Sequence, residues 1–420
     1  MTRAHFVARL SWQFQRRDNS SVLVFYFAVA VVIWLGILSL RNGFSFASYL
    51  NEKLRQPTSD HTPFASVIAP TRGLDIGLSE NLEPLLIQNY PAYEVIFVTD
   101  RADDPSVPLL ERIIKRSSRP TRIVFAGGAV DSGQKVHNLR FAVSQVHPKC
   151  EVLVFVDTDA RPHPDWLGSL VAPLKDERIG AVTGYRWFIP ARGGFASHLR
   201  SVWNASIASA LGERGDKNFC WGGSTAIRRA TFERLRVSER WCGTVSDDFT
   251  VTRVLQEAKL PIRFVPQCLI PSLDDCSLSE LFEFTNRQLK ITRTYAPHLW
   301  RSVLIGSLIF TAVFFGGVIM VTMRAIQGRS FAVPLLLLLI VYVLGALKSY
   351  IRLRAVAGAL KAYQKELFRS LPAQVLLWPI ASALFLVNSV AAACSRRITW
   401  RGITYELKSA TEAVIIPVKQ

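Results

Sequence analysis

The chain has 420 residues, a formal net charge of +18 and an apolar content of 50%. Such an excess of positive charge allows two kinds of partner, a nucleic acid or the anionic head groups of a membrane. The sequence contains no RNA- or DNA-binding motif, and its apolar residues are concentrated in blocks. We therefore expect a membrane partner and no nucleic acid.

The first apolar block, residues 22–40, contains no charged residue and is long enough to span a bilayer. Because no small-residue cleavage site follows it, we predict an uncleaved anchor. Further apolar blocks cover residues 303–323, 331–347 and 371–394. The predicted organisation is an N-terminal tail (1–20), a transmembrane anchor (21–41), a linker (42–62), a globular domain (63–300), membrane segments (301–394) and a C-terminal tail (395–420).

Strand and helix patterns alternate along the first half of the globular domain. Strands are predicted at 64–69, 93–98, 122–126 and 151–156, and helices at 74–88, 107–116 and 135–146. This βαβαβαβ order predicts an α/β fold with a parallel, doubly wound, Rossmann-like sheet.

The fourth predicted strand ends in two carboxylates, Asp157 and Asp159. Ligands of open α/β sheets bind at the carboxyl ends of the strands, and paired carboxylates suit Mg²⁺ or Mn²⁺ together with substrate phosphates. A simple polar turn is the alternative interpretation, because Asp and Thr are common in turns. The second strand also ends in acids, at Asp100, Asp103 and Asp104, so both groups are expected at one crevice.

The loop before the third predicted helix resembles a phosphate-binding Walker loop but departs from it. It reads G-x-x-x-x-G-Q-K-V, so Lys135 comes one place late and no Ser or Thr follows. A P-loop ATPase is therefore not expected. Lys135 could still offer positive charge to a diphosphate.

Three segments after residue 220 are further candidates. Ser246 or Asp247 could cap the helical stretch that follows, and the helix dipole favours Asp248 there. Asp248 facing the crevice could also act as a general base. The turn at residues 221–224, with Trp221 and Gly223, has the glycines that let backbone approach a ligand. Arg287 either contacts phosphate or belongs to a basic cluster at the membrane surface.

The ordered set of motifs resembles the family 2/21 glycosyltransferases of GT-A fold, a group that includes the ceramide glucosyltransferases and their bacterial relatives. The resemblance covers nearly the whole chain. It is carried by residues 70–75, 90–95, 103–105, 135–139, 157–159, 194–196, 247–249 and 398–405.

The resemblance implies a role for each candidate residue. Asp104, with Asp103, would contact the uridine, and Asp157 and Asp159 would hold a metal–diphosphate. Their positive charge makes Lys135 and Arg287 further candidates for the nucleotide-sugar site, independently of the resemblance. Asp248 would be the catalytic base, with Asp247, Trp221 and Gly223 in supporting positions. One departure is that the family's R/Q-x-x-R-W reads here Arg287-Gln288-Leu289-Lys290-Ile291.

The implied activity is an inverting transfer of a hexose from a nucleotide sugar, UDP-glucose in the first instance, to the hydroxyl of a ceramide-like lipid. Alternatives are a hopanoid or diacylglycerol glycosyltransferase that uses another UDP-sugar, and a non-catalytic membrane protein that binds nucleotide sugar. A processive polysaccharide synthase would need more membrane spans and an intact Q-x-x-R-W.

The orientation signals in the sequence conflict. Basic residues between the last two apolar blocks, from Lys348 to Arg369, mark a cytoplasmic surface. The arginines before residue 22 argue for a cytoplasmic N-terminus instead, which would place the domain outside after one crossing. Because nucleotide sugars are cytosolic, we expect a bacterial inner-membrane protein with a cytoplasmic catalytic domain. The six cysteines show no metal-binding spacing and are expected to be free thiols.

Overall fold

The structure, a computed structural model, describes residues 3–57, 59–75 and 77–417, with side chains described from residue 23 onward. The helices are α1 (Arg3–Lys53), α2 (Leu78–Leu86), α3 (Val107–Lys115), α4 (Gln134–Ser144), α5 (Trp166–Val171), α6 (Phe195–Ala208), α7 (Arg229–Arg234), α8 (Val237–Arg240), α9 (Asp247–Glu257), α10 (Leu278–Tyr295), α11 (Pro297–Ile326), α12 (Ala332–Ala359), α13 (Gln364–Arg369), α14 (Leu371–Leu376) and α15 (Trp378–Cys394). The strands are β1 (Ala65–Pro70), β2 (Tyr93–Thr99), β3 (Thr121–Phe125), β4 (Val152–Phe155), β5 (Ala181–Phe188), β6 (Thr225–Arg228), β7 (Ile262–Ser272), β8 (Arg397–Trp400), β9 (Ile403–Ser409) and β10 (Glu412–Ile416).

Seven strands form the central sheet in the order β3-β2-β1-β4-β6-β5-β7. The four strands predicted from the sequence are parallel neighbours, as expected. The rest of the sheet, for which no strands were predicted, is mixed, because β6 runs antiparallel to both β4 and β5. The strand order reverses between β1 and β4, and such a switch point opens a ligand crevice at the carboxyl ends of the strands. The predicted α/β class is confirmed.

The helix predicted at 74–88 begins only at Leu78. Gly73 and Gly77 have positive φ angles of 69° and 73°, a conformation that ends regular helix and favours glycine. The segment before Leu78 is therefore a loop beside the carboxyl end of β1.

Three described helices are long and apolar enough to cross a membrane: Leu23–Lys53 within α1, α11 and α12. The fourth apolar block does not form one long helix, because it divides into α14 and the 17-residue α15. A bilayer core needs about 20 residues of helix.

Helix α1 continues through most of the predicted linker and enters the core of the globular domain. Phe46, Tyr49 and Leu50 are buried there, and the hydroxyl of Tyr49 donates to the carbonyl of Phe264 at 2.6 Å. The end of α12 joins the same core through Leu353 and Val356. The C-terminal part of α1 is thus packed into the domain core.

The predicted C-terminal tail folds into a second, three-stranded sheet, β10-β9-β8. The β8–β9 hairpin turns at Arg401 and Gly402, whose φ angles are 50° and 78°. Two consecutive positive φ angles give the tight turn that suits a two-residue hairpin. Tyr405 and Leu407 pack with Val245 and Tyr295 in a small core, which holds this hairpin against α10 and the start of α9.

Candidate active site

Three elements meet at the carboxyl end of β4. Asp157 follows that strand, Lys135 lies in the first turn of α4, and Asp247 is the first residue of α9. The ammonium of Lys135 lies 2.7 Å from Asp157 Oδ1 and 3.1 Å from Asp247 Oδ1. Three residues far apart in sequence therefore form one partly buried charged cluster, and all three were predicted site residues.

Arg186 is a further residue of the site that the sequence analysis missed. It projects from β5 and contacts Asp159 at 2.8 Å and Asp157 at 3.4 Å. Its guanidinium lies 4.8 Å from the ring centroid of Trp221. A lone arginine in an otherwise uncharged strand was the available signal, but the pairing of β5 with β6 and β7 was not predictable from that signal.

Burial and neighbouring charges drive apart the pKa values of the two carboxyls that flank Lys135. Burial disfavours the charged form of Asp157, but Lys135 and Arg186 outweigh it and lower the pKa of Asp157. Burial dominates at Asp247 and raises its pKa to about 6, helped by Asp248 and Asp157. The acids outweigh burial at Lys135 and raise its pKa. Carboxyls whose pKa values are driven apart are typical of acid–base sites.

Asp248 lies on the first turn of α9 and is half-buried. Its Oδ1 accepts the N–H of Phe249 at 2.7 Å and the hydroxyl of Ser246. Ser246, one of the two predicted cap candidates, is the N-cap residue, and its hydroxyl accepts the N–H of Phe249. One carboxylate oxygen of Asp248 is thus held in place by the helix terminus. The role of base remains a prediction.

Asp104 and Asp103 lie on the loop after β2 and differ sharply in their surroundings. Asp104 is buried, and it accepts the N–H of Gly73 at 3.0 Å and the N–H and hydroxyl of Ser106 at 2.9 Å and 2.6 Å. Asp103 is exposed and pairs with Arg101 at 3.3 Å. Asp104 therefore joins two loops at the edge of the crevice, and the predicted uridine contacts of both residues stay predictions.

The glycines of the predicted close-approach turn have separate tasks. A Cβ on Gly222 would lie 2.4 Å from Asp247 Oδ2 and 2.7 Å from Lys135 Nζ. A Cβ on Gly223, the glycine that was predicted, would lie 2.2 Å from the ring of Trp221. Because Gly222 has no side chain, Asp247 and Lys135 can approach its backbone. Because Gly223 has none, the indole of Trp221 has room to pack there.

The C-terminal hairpin covers one side of the cluster. Trp400 lies beneath two cations, with its ring centroid 6.0 Å from Lys135 Nζ and 5.6 Å from the guanidinium of Arg287. Arg401 forms two 2.5 Å contacts with Asp75, which tie the hairpin to the loop after β1. Arg287 is mostly buried on α10, and that burial lowers its pKa.

A cavity of about 1520 Å³ connects this cluster with the membrane helices. At one end its wall contains predicted site residues, namely Lys135, Asp157, Trp221, Asp247, Asp248 and Arg287, together with Arg186 and Trp400. At the other end the wall is apolar, with Val32 and Leu35 of α1, Phe310 of α11 and Val341 of α12. A single cavity therefore connects the charged cluster with an apolar surface suited to lipid.

Asp157 and Asp159 are the predicted metal ligands. Within the described residues, no group of three or more His, Cys, Asp or Glu side chains gathers around one point. Asp159 Oδ1 is buried and has no hydrogen-bond partner, so one oxygen is available to a cation. Because Mg²⁺ is commonly held by one or two carboxylates plus substrate phosphates, Asp157 and Asp159 fit such an ion. Lys135 and Arg186 already neutralise much of their charge, so charge balance alone does not demand it.

Comparison with known proteins decides the family. The family model described as Glycosyl transferase family 21 matches residues 23–413. The chain belongs to this family. The predicted resemblance is thus confirmed, and the α/β sheet with membrane helices is the architecture that the resemblance implied.

Relatives of this family 21 chain are distant. Ceramide glucosyltransferase 1 of Caenorhabditis elegans is 20% identical over 298 residues, which cover 69% of this chain and 62% of the relative. Ceramide glucosyltransferase of Candida albicans is 25% identical over 158 residues, 33% of this chain and 29% of the relative. The chain spans less than two thirds of the length of these relatives. A mannosyltransferase from Pyrobaculum calidifontis, solved with GDP-Man and Mn²⁺, is 18% identical over 87% of this chain and 98% of that chain, with a TM-score of 0.47.

Proposed function

We propose that this family 21 protein is an inverting membrane glycosyltransferase that moves a hexose from a UDP-sugar, UDP-glucose in the first instance, to the hydroxyl of a ceramide-like lipid. The cavity carries the proposal, because its wall includes both the Asp157–Lys135–Asp247 cluster and apolar faces of α1, α11 and α12. A lipid lying against those helices could present its head group to the cluster. A water-soluble acceptor would gain nothing from an apolar wall.

The donor diphosphate is assigned to the carboxyl end of β4. Lys135 and Arg186 supply positive charge there, and Trp221 fixes the guanidinium of Arg186 from one face. A divalent cation held by Asp157 and Asp159, Mg²⁺ or Mn²⁺, would add charge stabilisation to the leaving diphosphate. Arg287, mostly buried beside Trp400, is a further cation on the same wall.

Asp248 is assigned the role of general base. The acceptor hydroxyl oxygen attacks the anomeric carbon, the bond from that carbon to the diphosphate breaks, and UDP leaves with the electron pair. Asp248 takes the hydroxyl proton, and the anomeric centre inverts because the displacement is direct. A positioned base of this kind contributes typically about 10²–10⁴-fold to rate. Asp247 shares Lys135 with Asp157 and is assigned to positioning that lysine.

The globular domain is assigned to the cytoplasmic side of the bacterial inner membrane, where nucleotide sugars are made. The end of α1, the start of α11 and the end of α12 all adjoin this domain. The basic residues that follow the apolar part of α12 therefore lie on the same side as the domain, as a cytoplasmic placement requires.

The reaction is tested with full-length protein in nanodiscs, supplied with UDP-sugars and with ceramide, diacylglycerol or a hopanoid, while UDP release is measured. The proposal expects UDP release that requires a lipid hydroxyl. A protein that binds UDP but forms none from any combination of donor and acceptor would favour the non-catalytic alternative.

A further inference from the structure

Two basic side chains on α12 face the cavity away from the acidic cluster. Lys348 and Arg352 are one helical turn apart, so they share a face of the helix, and both belong to the cavity wall. Arg352 is 3% exposed. The ammonium of Lys348 donates to the hydroxyl of Ser39 on α1 at 2.7 Å.

Neither cation has an acidic partner within the described part of the chain. Arg352 makes a 3.4 Å contact with Gln374 Oε1, and its buried Nε has no partner. The charged neighbour of Lys348 is Arg352 itself. Lys135 and Arg186, by contrast, are each paired with two carboxylates. A buried charge is costly unless an opposite charge compensates it. This pair of cations therefore needs an anion that the described residues do not supply.

The position of the pair indicates where that anion comes from. The apolar part of α12 ends at Leu347, and Leu353 is already in the core of the globular domain. Lys348 and Arg352 therefore lie where the membrane helices meet the domain, which is the depth of lipid head groups. Leu35, Phe310 and Val341 line the same cavity and suit acyl chains.

We propose that Lys348 and Arg352 bind the phosphate-class anionic head group of a membrane lipid whose chains lie against the apolar wall of the cavity. The inference rests on the proposed function in taking this cavity as the lipid site. It adds that an occupant carries negative charge, which neither a ceramide nor a diacylglycerol does.

Binding is tested on full-length protein in neutral detergent by thermal melting and by titration. The three probes are a short-chain phosphatidic acid, the diacylglycerol with the same chains, and inorganic phosphate. We expect the phosphatidic acid to raise the melting temperature more than either of the other two. Lys348→Met and Arg352→Met should each weaken its binding about tenfold or more, the scale of one charged hydrogen bond.

Arg354→Met is the matched control, because Arg354 is an exposed cation on the same helix and should leave binding unchanged. UDP binding reports whether each variant is folded, and Lys348→Met alone decides the test if Arg352→Met does not fold. Equal stabilisation by diacylglycerol, or by inorganic phosphate, would overturn the site. Charge-dependent binding without glycosyl transfer would instead contradict the proposed function and leave this site standing.

Discussion

The substitution Asp248→Asn separates a catalytic role from a capping role at the start of α9. Asn keeps an oxygen in the position that accepts the Phe249 N–H at 2.7 Å and the Ser246 hydroxyl. Ser246 remains the N-cap, so the helix should keep its start. Loss of one negative charge from the first turn costs about 0.3–1 kcal/mol of stability.

Loss of a positioned base has a much larger effect on rate. We expect turnover to fall about 10²–10⁴-fold, which corresponds to roughly 2.8–5.6 kcal/mol at about 1.4 kcal/mol per factor of ten. UDP affinity should change little, because Lys135 and Arg186 are untouched. The assay measures UDP release under saturating donor and lipid, with UDP affinity and melting temperature taken on the same preparation.

Two further Asp→Asn variants are compared with Asp248→Asn, one at the neighbouring acid and one at an exposed control position. Asp247→Asn removes a buried carboxylate that contacts Lys135 at 3.1 Å, and we expect its turnover to fall by no more than about tenfold. Asp131→Asn makes the same chemical change at an exposed acid and should have no effect. Near-normal turnover in Asp248→Asn would refute the assignment, and a larger loss in Asp247→Asn would move the base to Asp247.

Excess EDTA should abolish turnover. Added Mg²⁺ or Mn²⁺ should restore turnover in the wild type but not in Asp159→Ala. Full turnover in EDTA would remove the metal from the mechanism. The pKa of Asp247 is raised from its ordinary 3.8 to about 6, so the folded chain keeps a proton that the unfolded chain releases. The stability of the wild type should therefore fall as pH rises through that interval, and the stability of Asp247→Asn should fall less. An equal change in melting temperature between pH 4.5 and 7 in the two proteins would contradict this. Gly222→Ala places a methyl group 2.4 Å from Asp247 Oδ2 and should reduce turnover by up to about 10²-fold, because it displaces the charged cluster. Gly212→Ala is the control, with no atom within 4 Å of the added carbon, and should not reduce turnover. Equal turnover in the two variants would show that the cluster adapts to the methyl group. A cysteine placed at the exposed Arg178, in a Cys394→Ser background, should resist impermeant thiol reagents in intact cells, and rapid labelling there would refute a cytoplasmic domain.

Local sequence signals predicted one half of the sheet well and the other half poorly. The strands β1, β2 and β4 are buried runs, β3 is a partly exposed edge strand, and helices separate all four, so short-range periodicity is enough to find them. The antiparallel β6 and the pairing of β5 with β7 depend on contacts between distant segments. Arg186 was missed for the same reason, since only that pairing brings it to Asp157 and Asp159.

The site shows the same division. Asp157, Lys135 and Asp247 were predicted because each lies at the end of a strand or the start of a helix, where side chains face the crevice. The distinction between Gly222 and Gly223 was not predictable, because it depends on which side chain packs over each Cα. The hairpin that brings the Trp400 ring beneath Lys135 was predicted only as a tail, since its place is decided by packing against α9 and α10.

The central claim is that the cavity brings a membrane lipid to the Asp157–Lys135–Asp247 cluster for glycosyl transfer. Mass spectrometry of lipid extracts tests it most directly, with cells that produce the wild-type chain compared with cells that produce Asp248→Asn at equal abundance. We predict a lipid heavier by one hexose in the wild-type extract and its near-absence in the variant extract. Identical lipid profiles, with both proteins folded and binding UDP, would contradict the claim.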